Sequence, residues 1–204
     1  MNNTLIKNSW NSENNWENFI VWKNDKFIFT IEKSWDYFLN FSHNSNNSNS
    51  KIVVLIFCNN SKIKLNLISE INSPESSSNI IILNFALNGE IDIQSSLKIT
   101  NNWVNSKGSL EVENIFLWDN SKIKVIPALD IHLEKTESKH SVKATKINDD
   151  ELFYLSSRWI GQENAKYMIL KSKIIKALSI FGNIEENMII WIMEKFEKFI
   201  LRNT

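Results

Sequence analysis

The feature that most constrains the fold of this chain is a succession of short apolar runs between Lys26 and about Glu134. The runs are rich in isoleucine, valine and leucine, and asparagine, serine, aspartate or glycine separates them. Runs of this kind predict β-strands. A segment near Trp35 to Phe41 has a helix-like period, and no later stretch before Glu134 does. The predicted strands are Lys26–Ile31, Ile52–Phe57, Lys62–Leu67, Ile80–Phe85, Glu90–Ile93, Ser109–Val112 and Lys122–Ile126.

One six-residue segment is repeated within this β-rich region. The sequence of residues 59–64 returns almost unchanged at residues 119–124, about 60 residues later. Sixty residues correspond to three turns of a β-solenoid with roughly 20 residues in each turn. A chance repeat in a biased composition and a β-sandwich are the alternatives. The open edges of a solenoid are either capped or pair with another subunit, so a solenoid favours an interaction role.

The pattern changes to a helical period after Lys146. Asn148 and Glu151 form a capping-box signal for a short helix that ends near Ser157. Two longer amphipathic helices follow, the first from Gln162 to Gly182 and the second from a similar Asn183 and Glu186 signal to the end. The chain therefore divides into a β-rich part, residues 1–146 with a short N-terminal cap, and a helical part, residues 147–204. Apolar residues at three-and-four spacing mark the buried stripes: Tyr167, Leu170, Ile174, Ala177, Leu178 and Phe181 in the first, and Met188, Ile189, Ile192, Phe196, Phe199 and Ile200 in the second.

Composition excludes several classes of protein. The 204 residues carry 23 basic and 23 acidic side chains, so no strong field favours nucleic acid or an anionic membrane. Cys58 is the only cysteine, which excludes an intramolecular disulfide and a cysteine-rich metal site built by one copy. The first residues show neither a secretory signal nor a membrane span, so we expect a cytoplasmic protein. The Asn- and Ser-rich segments 43–50 and 72–79 are interpreted as ordinary turns.

The junction between the two parts resembles a known family. Residues 139–147 contain His140 and an Ala-Thr pair, and residues 148–160 continue with an acidic turn, Leu-Phe-Tyr-Leu and Ser-Arg. Pro127 lies upstream, in an apolar run that ends in a carboxylate. This order and spacing, over roughly residues 109–178, resemble the SufB and SufD proteins, the scaffold subunits of iron-sulfur cluster assembly.

The resemblance implies a fold, partners and site residues. It implies a right-handed parallel β-helix with a C-terminal helical segment, and a non-catalytic scaffold role. The implied partners are a SufC-like ATPase and either a SufB-like subunit or a second copy of the chain. By resemblance, His140 lies at the shared interface as a possible ligand of iron or of a transient iron-sulfur cluster. The implied surface for the ATPase contains Phe153, Tyr154, Arg158 and Trp159. The alternative is that the same aromatics plug the end of the β-helix, with Phe153 pointing inward. The family also fits an organelle or endosymbiont compartment.

The sequence departs from the family pattern at two informative positions. Trp159 stands where the family has a glycine after Ser-Arg, which affects a turn that needs positive φ. No cysteine occurs near Val112, the position at which SufB proteins carry one, so the chain is more SufD-like than SufB-like. The chain contains no Walker-type glycine-rich loop, so it is not expected to bind nucleotide itself.

Other polar residues have simpler interpretations. Cys58 follows an apolar run and is expected to be a small buried side chain. Asp149, Asp150 and Glu151 are expected to cap a helix rather than to act as acid and base. His132 and Glu134 alternate on one strand without a third ligand. A stand-alone solenoid that binds or cleaves carbohydrate is the alternative function, although no repeated acidic column is visible. A degenerate scaffold without cluster chemistry is a third.

Overall fold

A computed structural model describes residues 4–8, 15–100, 105–117, 120–131 and 137–201. The described residues form nine strands followed by three helices and a short 3-10 turn. The strands are β1 Thr4–Asn8, β2 Trp16–Ile20, β3 Asp25–Ile31, β4 Asp36–His43, β5 Asn49–Ile71, β6 Ser77–Ile99, β7 Lys107–Phe116, β8 Ser121–Ile131 and β9 Glu137–Lys146. The helices are α1 Asp149–Ser156, α2 Gln162–Leu178 and α3 Glu186–Leu201, with the 3-10 turn at Ser179–Phe181.

Every strand pair is parallel, and the strands wind into a β-solenoid with two faces. Face A contains β1, β3, the first half of β5, the first half of β6, β7 and β9, in that order. Face B contains β2, β4, the second halves of β5 and β6, and β8. Each 23-residue strand, β5 and β6, runs along face A, bends and returns along face B. The predicted parallel solenoid with a helical C-terminal segment is confirmed.

The predicted size of one turn was wrong. Asp36 lies beside Lys64 and Lys64 beside Asp92, so these turns have 28 residues, not about 20. The described residues of the two repeated segments occupy equivalent places two turns apart, because Ser61 and Ser121 both lie beside Gly89. The repeat is therefore a real structural equivalence with a longer period than predicted.

The core lies between the two faces because side chains alternate along each strand. On face A, Phe27, Ile52, Ile80 and Leu110 form one inward column across four strands. The same alternation holds in β4, where Tyr37, Leu39 and Phe41 are fully buried. The helix-like period predicted near Trp35 to Phe41 is therefore wrong, because tertiary burial on every second residue overrides it.

Left-handed residues mark the corner before four strands of face A, namely β3, β5, β6 and β7. They are Asn24, Asn47, Glu75 and Asn105, with φ of 62, 60, 56 and 65 degrees. Asparagine tolerates this region better than most residues, because its short side chain can hydrogen-bond locally. Three asparagines thus do at the corners what glycine often does, in a chain with only four glycines. The interpretation of the Asn- and Ser-rich segments as turns agrees with these corners.

The helical segment covers the outer side of face A. The predicted stripe of α2 is buried at Leu170, Ile174 and Leu178. In α3, Phe196 lies between the outward rings of Phe57 and Phe85, at 6.0 and 5.5 Å between ring centroids. The helices and the solenoid therefore share one apolar cluster. No helix in the described part of the chain is long and apolar enough to span a membrane.

The helix boundaries follow the predicted signals in part. The Asn148 side chain accepts a hydrogen bond of 3.0 Å from the backbone N–H of Asp150 and caps α1. Gly182, with φ of 70 degrees, ends the second helical stretch as predicted. However, α3 begins at Glu186, later than a cap at Asn183 requires. The Asn183 carbonyl instead accepts a hydrogen bond from Lys26 Nζ at 3.1 Å.

Candidate functional site

His140 lies on β9, the last strand of face A. β9 pairs with β7 along its whole length, and its other edge faces no strand in the described residues. His140 is directly opposite Leu110, and its side chain is exposed. Because Leu110 points into the core, His140 continues the inward column at the point where the stack stops. The imidazole is therefore exposed only because no further turn covers it among the described residues.

The rest of the final turn is also incompletely covered. Val142, two residues after His140, is 42% exposed although its partner Val112 is buried. On face B, Ile123, Val125, Leu129 and Ile131 point inward from β8 and are only half-buried. The end of the solenoid that carries β8 and β9, here called the open end, therefore combines apolar side chains with strand edges that no described strand pairs with. Such an edge is a ready template for pairing with another chain.

A polar cavity lies beside the start of β9. Its volume is about 600 Å³, and its lining includes Gly108, Ser138 and Lys139. Ser138 Oγ is buried and has no hydrogen-bond partner. Lys139 Nζ lies 3.1 Å from Glu111 Oε1 on β7. Ser138 and Lys139 immediately precede His140 in the chain, so the cavity adjoins the open end at the start of β9.

His140 does not form a metal site by itself. The described residues contain no group of three or more histidine, cysteine, aspartate or glutamate side chains that could hold a metal ion. Val112, at the position where SufB-like proteins are expected to carry a cysteine, is a buried aliphatic side chain in the core. A neutral imidazole can still supply one ligand to iron. Any iron at His140 therefore needs further ligands from outside the described chain.

The aromatic residues predicted for partner docking are exposed. Phe153 is 76% exposed, Tyr154 56% and Trp159 99%, and α1 has no buried residue. The Arg158 guanidinium lies 5.1 Å from the centre of the Tyr154 ring. Trp159 has φ of 64 degrees, so a left-handed residue is present at this position although it is not glycine, and the expected change of the turn is not observed. Phe153 therefore does not point inward to plug the solenoid, and all four residues lie on one exposed segment.

A groove runs between α1 and α2 beside these aromatics. Its volume is about 490 Å³, and its floor is largely apolar. Met168, on the α2 side, is 47% exposed. Asp150 and Glu151 lie at its edge, and they also begin α1 as the capping interpretation predicts. The lining residues are Asp150, Glu151, Tyr154, Leu155, Met168, Ile169 and Ser172.

Glu113 connects the open end to the helical segment, and sequence reasoning missed it. Its Oε1 accepts hydrogen bonds from Lys173 Nζ of α2 at 2.6 Å and from Thr145 Oγ1 of β9 at 3.1 Å. Burial would raise the pKa of Glu113, but the hydrogen bond and charge of Lys173 outweigh it and hold the pKa below its usual range. An outward carboxylate in a β-strand gave no signal for this contact, because Lys173 is 60 residues away.

The remaining candidates do not form a site. Cys58 is buried, as expected, and burial raises the pKa of its thiol. His132 and Glu134 lie outside the described residues. Charges on the outer side of face B alternate in sign between turns, as in the Lys62–Glu90 pair at 2.9 Å. The described strands therefore show no acidic column of the kind that a carbohydrate-cleaving solenoid would need.

Comparisons with known proteins identify the family. The sequence profile described as SUF system FeS cluster assembly, SufBD core domain, matches residues 31–173, more than two thirds of the chain. An iron-sulfur cluster assembly SufBD family protein of Pyrococcus horikoshii is 32% identical over 66 residues, which are 32% of this chain and 15% of the relative. A SufBD family protein of Methanothermobacter thermautotrophicus strain Delta H is 35% identical over 65 residues, 32% and 16% of the two chains.

The similarity extends to a named SufD protein. The iron-sulfur cluster assembly protein SufD of Escherichia coli K12 is 24% identical over 74 residues, which are 36% of this chain and 18% of SufD. The aligned segment spans less than a fifth of the length of each of these relatives. The parallel solenoid, the helical tail and the profile match agree with one another. The chain belongs to the SufBD core domain family of the SUF iron-sulfur cluster assembly system.

Proposed function

We propose that this chain is a non-catalytic scaffold subunit of a SUF iron-sulfur cluster assembly complex. Its open end pairs with a second β-solenoid subunit, either a SufB-like subunit or another copy, and its helical tail docks a SufC-like ATPase. The observation that carries this proposal is His140, exposed on a terminal strand whose free edge has no strand neighbour in the described part of the chain. A reducing compartment, the cytoplasm or an organelle stroma, suits the free thiol of Cys58.

In this proposal the iron-sulfur cluster is a transient cargo at the shared interface. His140 supplies one neutral nitrogen, and the partner supplies the other ligands, because a single imidazole cannot hold a cluster. Pairing also covers the half-buried side chains of β8 and lowers the local dielectric around the imidazole. Cluster assembly is therefore proposed to occur at the interface between the two subunits, where ligands from both are available and the imidazole is shielded from water.

Replacement of His140 by alanine tests the ligand role. Because His140 is exposed, His140→Ala is expected to leave thermal unfolding unchanged. Cluster formation in the reconstituted complex, followed by visible absorbance, is expected to fall several-fold. Lys139→Ala is the matched control, since it alters the neighbouring exposed side chain without removing a nitrogen ligand. Equal cluster formation in wild type and His140→Ala would contradict the role of this imidazole.

Substitution of the exposed aromatics tests ATPase docking. Phe153→Ala with Tyr154→Ala removes two large exposed side chains from a helix that buries none, so the fold is expected to survive. Copurification with a SufC-like ATPase is expected to be lost. Deleting residues 147–204 is a poorer test, because α2 and α3 cover apolar side chains of face A. Undiminished copurification of the folded double variant would contradict docking through this tail.

A further inference from the structure

Charged side chains on the outer side of face B alternate in sign along the solenoid. The pairs between neighbouring strands are Asp36–Lys64 at 3.5 Å, Lys62–Glu90 at 2.9 Å and Glu70–Lys98 at 3.4 Å. Adjacent strands lie about 4.8 Å apart, so like charges directly opposite destabilise a sheet and opposite charges stabilise it. The alternation of charge therefore stabilises the stacking of each turn on the next.

β8 is where these columns stop. Lys122 lies beside Glu90, Lys124 beside Asp92 and Asp130 beside Lys98. On its other side β8 faces no strand among the described residues. A neighbour that continues the alternation must place acidic side chains opposite Lys122 and Lys124. It must also place a basic side chain opposite Asp130.

The second terminal strand has the same basic excess. β9 carries lysines at 139, 143 and 146 and one carboxylate, Glu137, which lies 2.7 Å from Lys107. In a symmetric pair, a second copy of the chain would bring its own open end, and therefore β8 or β9, to this edge. In an antiparallel pair of β8 strands, Asp130 can meet only one of the two lysines. β9 would bring more lysines than carboxylates, although the whole chain is neutral.

We propose that the open end selects a non-identical β-solenoid subunit whose edge strand carries acidic side chains opposite Lys122 and Lys124. This inference rests on the proposed function, because it specifies the partner for the end that carries His140. Complementary charges at an interface accelerate association, and like charges reject wrong partners. Lys122 and Lys124 are therefore specificity residues, while the half-buried apolar side chains of β8 supply the area to be buried.

A charge-reversed copy of the chain serves as an acidic-edged probe. Wild type, K122E/K124E and their mixture are compared by sedimentation velocity at low salt and at high salt. Wild type alone is expected to stay monomeric, and the mixture is expected to form a one-to-one complex at least tenfold tighter than either self-association and weakened by salt. K176E/K198E changes the net charge equally at exposed helix positions and is expected to form no complex with wild type. Circular dichroism verifies folding, and K124E alone replaces the double variant should the latter unfold.

Two results would overturn the inference. A wild-type dimer that neither salt nor K122E/K124E weakens would show that the open end accepts a second copy, and the proposed pairing function would survive. Absence of association in every mixture would reject charge-selected pairing at this edge. Docking of the ATPase is measured separately with the Phe153 and Tyr154 variants, so failure at the open end is distinguishable from failure of the scaffold role.

Discussion

Replacing Trp159 by glycine is expected to preserve or raise the stability of the fold and to weaken ATPase docking. At φ of 64 degrees an L-residue is strained by about 1–2 kcal/mol, which glycine relieves. The indole is 99% exposed, so its removal sacrifices no buried contact. Glycine also gains freedom in the unfolded chain, which offsets about 0.5–1 kcal/mol. The net expected gain in the free energy of unfolding therefore lies between about 0 and about 1.5 kcal/mol.

Urea unfolding and copurification with the ATPase measure the two effects separately. Trp159→Ala is the control, because it removes the ring but keeps the Cβ that causes the strain. The alanine variant is expected to lose docking without gaining stability. A fall of more than about 1 kcal/mol in the glycine variant would show that the indole packs on the chain and that the strain estimate is wrong. Normal ATPase docking by both variants would show that Trp159 is not part of the docking surface.

Three further substitutions test the solenoid itself. Gly89→Ala is expected to lower the free energy of unfolding by about 3 kcal/mol or more, because at φ of 134 degrees a Cβ would clash with the Ser61 carbonyl oxygen. Thermal unfolding measures the loss, with Gly161→Ala, where nothing lies within 4 Å, as the control. Burial lowers the pKa of His43 from 6.5 to about 4. Below pH 6.5 this imidazole is therefore protonated in the unfolded chain but stays neutral in the native chain until the pH approaches 4. The free energy of unfolding is therefore expected to fall by up to about 1.4 kcal/mol per pH unit as the pH is lowered from 6.5 to 4. Urea titrations at several pH values measure this slope, and an equal slope in His43→Gln would contradict the role of His43. Phe196→Ala is expected to cost about 3–5 kcal/mol in chemical denaturation, since the ring is fully buried, and a loss below 1 kcal/mol would mean that the helices are not firmly packed on face A.

Alternation and polar breaks were enough to predict most strands of this chain, but not the length of a turn. The repeat at residues 59–64 and 119–124 gave the distance along the chain between equivalent positions, but not the number of turns in that distance. The number of residues in a turn depends on the corners, which left-handed residues such as Asn47 and Glu75 form. Glutamate at such a corner has no recognisable sequence signal. The helix-like period at Trp35 to Phe41 was a wrong prediction, because a helical and a strand period cannot be distinguished in so short a segment.

The site residues were named from sequence, but their arrangement was not. His140 was predicted only from the resemblance to the family, and its place in the inward column depends on its register with Leu110. Glu113 could not be found at all, because its partners Thr145 and Lys173 belong to two other elements. Long-range register and helix docking decide both cases. Neither is encoded in the period of a single strand.

The two outermost parts of the described solenoid differ in a way that favours the proposed pairing at the open end. At the N-terminal end, β2 places Glu17 inward beside Leu39, and an inward charge protects a strand edge from pairing. Phe19 fills the same end, with ring centroids 5.0 Å from Phe41 and 5.2 Å from Phe27. At the open end the inward positions of β8 are apolar and half-buried, and Val142 of β9 is 42% exposed. A partner therefore gains apolar burial at the open end, whereas at β2 it would have to desolvate a carboxylate.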